Sequence, residues 1–377
     1  MNILLINPFS RTAAVRQCNL ARNLQKQGNN VTLMLPLFDQ YSGFEPRMIP
    51  EDWNISSIHP FQFRSKRMEL CFLFYIPSAV FKCLGKKYHV VHAFRPTPFS
   101  GLIGYLISRI KRIPFVIEHG DIEWETMKNL KTHPGFRVRI VRWLEAFLTK
   151  KAEGVTVMNT NVKQYVLENY HPNGIIQLIP NGVDTEYFSP DQPSKRNELM
   201  KKIKARKIMM YVGKLDNIEH IQDLIYVLKE LGTKYGLVIV GGGKRKEELQ
   251  GLAKKLKVDD LVFFTGMAPH EDIPQYLNAA DILLAPFART KGVEHASNLK
   301  VFEYMSMGKP IVATDVGDLA EVLDGCGVLV EPGDIKALAK AIVSAKPEMG
   351  QKARDRSKKY DWKNLAKEVE DLYDKIQ

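Results

Sequence analysis

The residues best suited to hold a phosphorylated ligand lie in one run of the sequence, residues 296–310. Ser297 is favoured at a helix start, Gly308 is favoured just beyond a helix end and Pro310 stops helices, so the run predicts a helix of about three turns. The unpaired amides near residues 298–300 and the positive end of the helix dipole attract anions. Together with the ammonium of Lys300, they make a site suited to a diphosphate.

A carboxylate, Glu303, lies one turn into the same predicted helix. A carboxylate accepts strong hydrogen bonds, so Glu303 is placed to hold a ribose diol while the helix start holds the diphosphate. A Lys and a Glu three residues apart are also a common surface pair with no ligand at all. From these residues alone, both interpretations stay open.

The elements that must position these residues follow from the pattern of the whole chain. Short apolar runs alternate with longer helical patterns, which predicts an α/β protein with parallel sheets covered by helices. Its 377 residues suit two domains. The predicted strands are residues 2–6, 31–35, 89–91, 115–117, 155–158 and 175–179, then 208–212, 237–240, 261–264, 282–285, 311–313 and 328–330.

The domain boundary is predicted at residues 189–194, where Ser and Pro precede a charged stretch. This gives a domain over residues 1–190, a domain over residues 191–360 and a final helix over residues 361–377 that packs back on the first. Polar and glycine residues follow many of the strands, and open parallel sheets bind ligands at that edge. We therefore expect the two sheets to face an interdomain cleft.

The net charge of +12 is concentrated in residues 64–151, which carry 17 Lys and Arg against 6 Asp and Glu. This basic region predicts an anionic partner, and an anionic membrane surface is one candidate. The region lacks the aromatic-interleaved or helix-turn-helix pattern of a nucleic-acid binder. Four scattered cysteines and the absence of a signal-like start predict a cytoplasmic protein, peripheral at most at the inner face of the membrane.

The run 299–305, followed by residues 308–314, resembles the donor-binding signature of the retaining GT-B glycosyltransferases of family four. Further segments are similar to other motifs of that family in order and spacing: residues 179–184 with Phe188 and Pro190, residues 240–243 and residues 262–266. The resemblance implies two Rossmann-like domains, with a nucleoside-diphosphate sugar bound by the second and an acceptor by the first. It also implies transfer to a hydroxyl of a glycan or a lipid-linked or anionic acceptor, with retention of anomeric configuration and without a metal or other cofactor.

The resemblance also assigns roles to single residues. Glu303 matches the ribose-binding carboxylate, and Met267 lies in the stretch that reads the base through its backbone. His119 matches the active-site histidine that touches the donor sugar. The donor-binding set is then Gly213, Lys214, Met267, Asn298, Leu299, Lys300 and Glu303.

The sequence departs from the family pattern in three motifs: the segment after the first C-terminal strand, residues 7–12 and a catalytic carboxylate. An Arg often follows the glycine at the end of the first C-terminal strand, and here Lys214 supplies a point charge without the bidentate fork. The Lys-Gly expected five residues on is Glu219-His220. A carboxylate there would repel a diphosphate, so we expect Glu219 to point elsewhere. Residues 7–12 replace a glycine-rich turn, which predicts an unusual acceptor or sugar specificity.

The third departure concerns a catalytic carboxylate that the family has eight positions before Glu303, where this chain has His295. Either His295 or its neighbour Glu294 takes that role. Three alternatives stay open. A sugar-nucleotide epimerase and a sugar phosphorylase are enzymes of the same architecture, and the departures favour a catalytically silent nucleotide-binding subunit as the third. The sequence has no Asp-x-Asp pair at a strand end and no closely spaced pair of histidines. It therefore predicts no metal site.

Two apolar segments lie inside the basic region. Residues 68–84 are apolar nearly all round and too short to span a bilayer, so they predict a buried helix or a helix on an anionic membrane face. Apolar residues at helical spacing follow between residues 136 and 147, and we interpret them as core. They are Phe136, Ile140, Trp143, Leu144 and Phe147.

Overall fold

The structure, a computed structural model, describes residues 1–7, 15–35, 55–60, 68–129, 135–216 and 219–377. The chain forms two compact units. The first unit contains Met1–Pro180 and Trp362–Gln377, and the second contains Asn181–Asp361. The predicted turn at residues 7–12 lies outside the described residues beyond Asn7.

Both units alternate strands and helices along the chain. The strands are β1 (Asn2–Ile6), β2 (Asn30–Met34), β3 (Ser56–Ile58), β4 (Val90–Phe94), β5 (Phe115–His119), β6 (Gly154–Val157), β7 (Ile175–Leu178), β8 (Lys207–Val212), β9 (Tyr235–Val240), β10 (Val262–Gly266), β11 (Ile282–Ala285), β12 (Ile311–Thr314) and β13 (Val328–Val330). The helices are α1 (Val15–Lys26), α2 (Met68–Leu84), α3 (Ile103–Lys111), α4 (Glu123–Asn129), α5 (Gly135–Lys151), α6 (Thr160–Tyr170), α7 (Arg196–Met200), α8 (Ile221–Leu231), α9 (Lys246–Lys255), α10 (Ile273–Ala279), α11 (Lys291–His295), α12 (Leu299–Ser306), α13 (Leu319–Val322), α14 (Ile335–Ser344), α15 (Pro347–Ser357) and α16 (Trp362–Ile376).

Each unit is built on one parallel sheet. The first sheet has the strand order β3-β2-β1-β4-β5-β6-β7, and the second has the order β10-β9-β8-β11-β12-β13. Strands β4, β5, β11 and β12 are buried over their whole length, because helices cover both faces of such a sheet. All twelve predicted strands are present, with ends that differ by up to three residues. Strand β3 was not predicted, because Ser56–Ile58 is short and mostly polar.

The second unit begins ten residues before the predicted boundary. The amide of Val183 donates to the carbonyl of Tyr360 at 3.0 Å, and the Ser306 hydroxyl donates to the carbonyl of Phe188 at 2.5 Å. The segment before the Ser- and Pro-rich stretch is therefore anchored in the second unit. The amino-acid composition indicated a loop at residues 189–194. Hydrogen bonds to the backbone of Val183 and Phe188 decide that the second unit begins earlier.

The final helix α16 belongs to the first unit. It buries Trp362, Leu365, Val369 and Leu372, which recur at the three- and four-residue spacing of one helix face. From the same helix, the hydroxyl of Tyr373 lies 2.7 Å from Nδ1 of the buried His92 on β4. The chain thus returns to the first sheet after completing the second.

Helices α2 and α5 each expose apolar side chains. On α2, Tyr75, Ala79 and Cys83 are buried, whereas Phe74 and Phe81 are exposed. The helix is therefore neither fully buried nor wholly at the surface, and the side chains of residues 68–73 lie outside the described part. The exposed side of α2 also carries apolar residues, which is why the sequence of this helix is apolar nearly all round.

On α5 the prediction of a common core is wrong for three of its five residues. Phe136, Ile140 and Trp143 are 54%, 54% and 64% exposed. Leu144 is buried with Leu148, while Phe147 is only partly buried. The helix has two apolar stripes, and periodicity alone does not tell which one faces the core.

Candidate functional site

The carboxyl ends of β8, β9 and β10 meet at an edge lined by glycine. The Gly213 amide donates to the carbonyl of Val240 at 3.0 Å, and the Gly241 amide donates to the carbonyl of Gly266 at 2.9 Å. Gly241 has φ of 142°, and a Cβ there would lie 1.9 Å from the Gly213 carbonyl oxygen. Only glycine fits this contact, so the backbone at the edge is left bare, as close approach of a ligand requires.

Met267 follows directly after this edge and is 68% exposed. A Cβ on Gly242 would lie 3.0 Å from the Met267 Cγ, so the methionine side chain lies over Gly242. The structure thus brings Met267 to the glycine-lined edge, together with Gly213. Lys214 follows Gly213 in the chain, and its side chain is exposed. Its carbonyl accepts a hydrogen bond from the Tyr211 hydroxyl at 2.8 Å.

Helix α12 has Asn298 as its N-cap residue and ends before Gly308, whose φ is 66°. The prediction that Ser297 caps this helix is wrong, because its hydroxyl accepts a hydrogen bond from the Asn181 amide at 3.2 Å. Asn298 makes no side-chain capping hydrogen bond. The amides of Leu299 and Lys300 have no partner inside the helix and are not taken by a capping side chain, whereas the Val301 amide donates to the Asn298 carbonyl at 3.0 Å.

Helix α12 is held in place by its buried face. Phe302, Tyr304 and Met305 are buried, and the Tyr304 hydroxyl accepts from the Val212 amide at 2.8 Å. Burial raises the pKa of Tyr304 above its usual range, so the phenol stays neutral. This contact fixes the helix against the end of β8. Glu303, on the same helix, is half-buried.

The Lys300 ammonium lies at the glycine-lined edge. A Cβ on Gly213 would be 2.6 Å from Lys300 Nζ, which places the two predicted donor-binding residues side by side. The ammonium is 3.2 Å from the Tyr211 hydroxyl, and it stands over the rings of Tyr211 and Phe287 at 4.6 and 5.2 Å from their centroids. The aromatic faces favour a cation at this position.

Glu219 also faces this cluster, so the prediction that it points elsewhere is wrong. Its carboxylate forms an ion pair with Lys300 and accepts a hydrogen bond from the Tyr211 hydroxyl. Glu219 is 7% exposed, and a carboxylate at that depth needs a cation and a donor to offset the loss of water. A backbone bridge to Phe287 fixes its position. Tyr211 and Phe287 were missed because they read as ordinary core residues at strand ends.

Glu294 and His295, the two candidates for the role of the family's catalytic carboxylate, both lie on α11. One Glu294 oxygen accepts from the Gly317 amide at 2.9 Å, and the other lies 3.8 Å from Arg289. His295 is half-buried at the end of the helix. Glu294 thus has a structural contact of its own, and the catalytic role of Glu294 or His295 stays a prediction.

Comparison with known proteins now identifies the family. Residues 206–345 match the family described as Glycosyl transferases group 1, and residues 13–187 match Glycosyltransferase Family 4. The chain belongs to the family-four glycosyltransferases. Its two parallel-sheet Rossmann-like units are those of the GT-B fold.

Relatives of this glycosyltransferase differ in how much of the chain they share. An uncharacterized glycosyltransferase of Methanocaldococcus jannaschii is 22% identical over 96% of this chain and 93% of its own length. The GDP-mannose-dependent alpha-(1-6)-phosphatidylinositol monomannoside mannosyltransferase of Mycolicibacterium smegmatis is 30% identical, over 51% of this chain and 52% of its own. Among solved structures, Anabaena HepE in complex with UDP-glucose shares the fold, with a TM-score of 0.74, 18% identity and 100% of both chains covered.

The predicted sugar-binding histidine of the glycosyltransferase, His119, lies in the core of the first unit. It has no exposed surface, and its Nε2 is 2.7 Å from the Thr149 hydroxyl. Its Nδ1 is 3.7 Å from a carboxylate oxygen of the buried Glu145. Burial lowers the pKa of His119 to about 3 and raises that of Glu145 to about 8, so both are neutral at pH 7. In this arrangement the imidazole does not reach a ligand, and its role in the sugar site stays a prediction.

Acid should destabilise the glycosyltransferase through its buried histidines. Burial lowers the pKa of His92 and His119 to about 3, below the value of ~6.5 in an unfolded chain. Their contribution to stability is present above pH ~6.5 and is lost as the pH falls from there towards 3, at roughly 1.4 kcal/mol per pH unit for each. Urea unfolding at several pH values between 7.5 and 5 measures the net slope, to which the raised pKa values of Glu145 and Asp318 contribute with the opposite sign. The histidine contribution is therefore the difference in slope between the parent and a histidine variant.

Variants separate this effect from other titrations. His119→Gln should remove roughly 1.4 kcal/mol per pH unit of acid destabilisation from the slope, whereas the matched change at the exposed His171 should leave the slope as in the parent. Equal slopes for His119→Gln and the parent would show that His119 is not a buried neutral group.

Two further features of the described residues concern metals and membranes. Within the described ranges, no three His, Cys, Asp or Glu side chains cluster as a metal site requires. The expectation of a metal-independent glycosyltransferase stays a prediction. None of the helices in the described part is long and apolar enough to cross a bilayer.

Proposed function

We propose that this glycosyltransferase transfers a sugar from a nucleoside-diphosphate sugar to a hydroxyl acceptor, with retention of anomeric configuration. The observation that carries the proposal is the position of the Lys300 ammonium. It stands between the open first turn of α12 and the bare backbone at Gly213, one turn before Glu303. Amides, a cation and a carboxylate at these spacings suit a diphosphate followed by a ribose.

In the proposed reaction, the bond between the anomeric carbon and the diphosphate oxygen breaks as the acceptor hydroxyl attacks from the same face. The first-turn amides of α12, Lys300 and Lys214 stabilise the charge that develops on the leaving diphosphate. The acceptor proton passes to the departing phosphate oxygen. Glu303 accepts hydrogen bonds from the ribose, and the backbone at Met267 contacts the base.

Glu219 has a part in this scheme as the partner of Lys300. Its carboxylate neutralises the ammonium where no diphosphate is bound. A diphosphate carries more charge than one carboxylate, so it competes well for the same cation. Lys300 then exchanges one anion for another, and Glu219 keeps the Tyr211 hydroxyl as its donor.

The relatives support a nucleotide-sugar donor and leave its identity open. HepE has been solved with UDP-glucose, whereas the Mycolicibacterium smegmatis relative is named for GDP-mannose and a phosphatidylinositol monomannoside acceptor. We propose a glycan or a lipid-linked or anionic molecule as the acceptor here.

The test is a donor screen followed by product analysis. Thermal shift with UDP-, GDP- and ADP-sugars selects the donor, and mass spectrometry follows its reaction with polyprenyl-phosphate and glycan acceptors. We expect an acceptor heavier by one sugar residue, release of nucleoside diphosphate, retained configuration by NMR and no loss of rate with a chelator. An epimerised nucleotide sugar without acceptor, phosphate-dependent release of sugar phosphate, or binding without turnover would each replace the proposal with one of its three alternatives.

A further inference from the structure

Helix α5 carries a second apolar stripe that the described part of the fold leaves exposed. Leu144 and Leu148 are buried in the first unit. On another side of the helix, Phe136, Ile140 and Trp143 recur at four- and three-residue spacing and are each more than half exposed. A surface helix normally has one apolar stripe, directed at the core. A second stripe of large side chains marks an interaction surface.

Ring contacts continue this stripe onto the neighbouring helix α3. The Trp143 ring stacks on Phe147 with centroids 5.3 Å apart, and Phe147 meets Tyr105 edge-on at 5.4 Å. The Arg109 guanidinium stands over the Tyr105 ring at 5.2 Å. We call this surface the α5 face, defined by Phe136, Ile140, Trp143, Phe147 and Tyr105.

The α5 face is bordered by cations. At about 100° per residue, Arg139 and Lys150 lie along one side of the stripe and Lys151 along the other, and all three are exposed. The only acidic residue of α5, Glu145, is buried. At the end of the helix, Lys150 and Lys151 line an open cavity of about 710 Å³ together with Lys375 and with Arg109, which is paired with Glu153 at 2.9 Å. Positive charge therefore extends from the apolar stripe into this cavity.

We propose that the α5 face docks on an anionic lipid bilayer. Tryptophan and phenylalanine enter the boundary between headgroups and acyl chains, and long basic side chains beside them reach the headgroup charges. Pairing of two α5 faces from two copies would bring their basic borders together, and like charges oppose that contact. The proposal does not depend on the donor site in the second unit.

The test is flotation of the full chain with phosphatidylcholine vesicles, with and without phosphatidylglycerol. We expect salt-sensitive binding only to the anionic vesicles, with a blue shift of tryptophan fluorescence. Phe136→Ser combined with Trp143→Ser should weaken partitioning by roughly tenfold or more, because two large apolar side chains no longer enter the interface. The matched change Val343→Ser, at a 59% exposed position on α14 of the second unit, should have no effect.

Further variants test whether the exposed side of α2, or a second copy of the chain, accounts for the result instead of the α5 face. Lys150→Gln with Lys151→Gln should reduce binding while leaving the apolar stripe intact. Phe81→Ser tests the exposed side of α2, and it should leave most of the binding in place. Parent-like binding by the folded Phe136 and Trp143 variant, or loss of binding with Phe81→Ser alone, would overturn the proposal. So would a lipid-free dimer in sedimentation that the α5 variant dissociates, since the occupant would then be a second copy.

Discussion

Replacement of Lys300 by methionine is expected to weaken nucleoside diphosphate binding by roughly 100-fold, the size of one or two charge-assisted hydrogen bonds lost from a partly buried site. Lys300 stands beside Gly213 and the first turn of α12, where the diphosphate is proposed to bind. Methionine keeps most of the length of the apolar side chain while removing the ammonium charge. Calorimetric titration with UDP, GDP and ADP measures the change.

The ion pair with Glu219 requires a control in the same experiment. Lys300→Met leaves the Glu219 carboxylate buried without its cation, which destabilises the second unit apart from any effect on binding. Adding Glu219→Gln should restore the melting temperature without restoring affinity. Glu219→Gln alone should bind the diphosphate at least as tightly as the parent, because the ammonium no longer has a competing anion. If Lys300→Met binds as tightly as the parent, Lys300 serves only to hold Glu219.

Replacement of Glu303 by alanine is expected to weaken binding of the preferred nucleoside diphosphate by roughly 10- to 100-fold, because hydrogen bonds to a charged group contribute ~1.5 to 3 kcal/mol each. Glu303 lies one turn into α12, which sets its distance from the diphosphate site at the helix start. The free energy of unfolding should change much less than the free energy of binding, since Glu303 is only half-buried. The same titrations, with thermal unfolding of both forms, measure the two effects.

The matched control is Glu348→Ala. Glu348 is an exposed carboxylate in the first turn of α15, in the same unit, so its loss removes the same charge from another helix of that unit. That variant should bind the nucleotide as the parent does. Equal affinity for the parent and Glu303→Ala would place the ribose elsewhere, and the assignment of residues 298–303 to the donor would have to be withdrawn.

Much of the donor region could be predicted from local signals. The α12 run contains its own stop signals, so the sequence located the helix to within a residue or two, even though Asn298 rather than Ser297 precedes it. The apolar runs located the strands, and so the glycines at the carboxyl ends of β8, β9 and β10. These features depend on neighbours within one turn or one strand, and the sequence displays such neighbours directly.

The sequence by itself therefore determined the two-sheet architecture, the family and the helix that presents Lys300 and Glu303. Tertiary structure decided which side chains meet: Glu219 pairs with Lys300, and His119 is buried against Thr149. It also decided that Phe136, Ile140 and Trp143 face outward while Leu144 faces the core. The reason is physical, because periodicity and turn chemistry report local backbone geometry, whereas ion pairing and burial depend on residues brought together from distant parts of the chain.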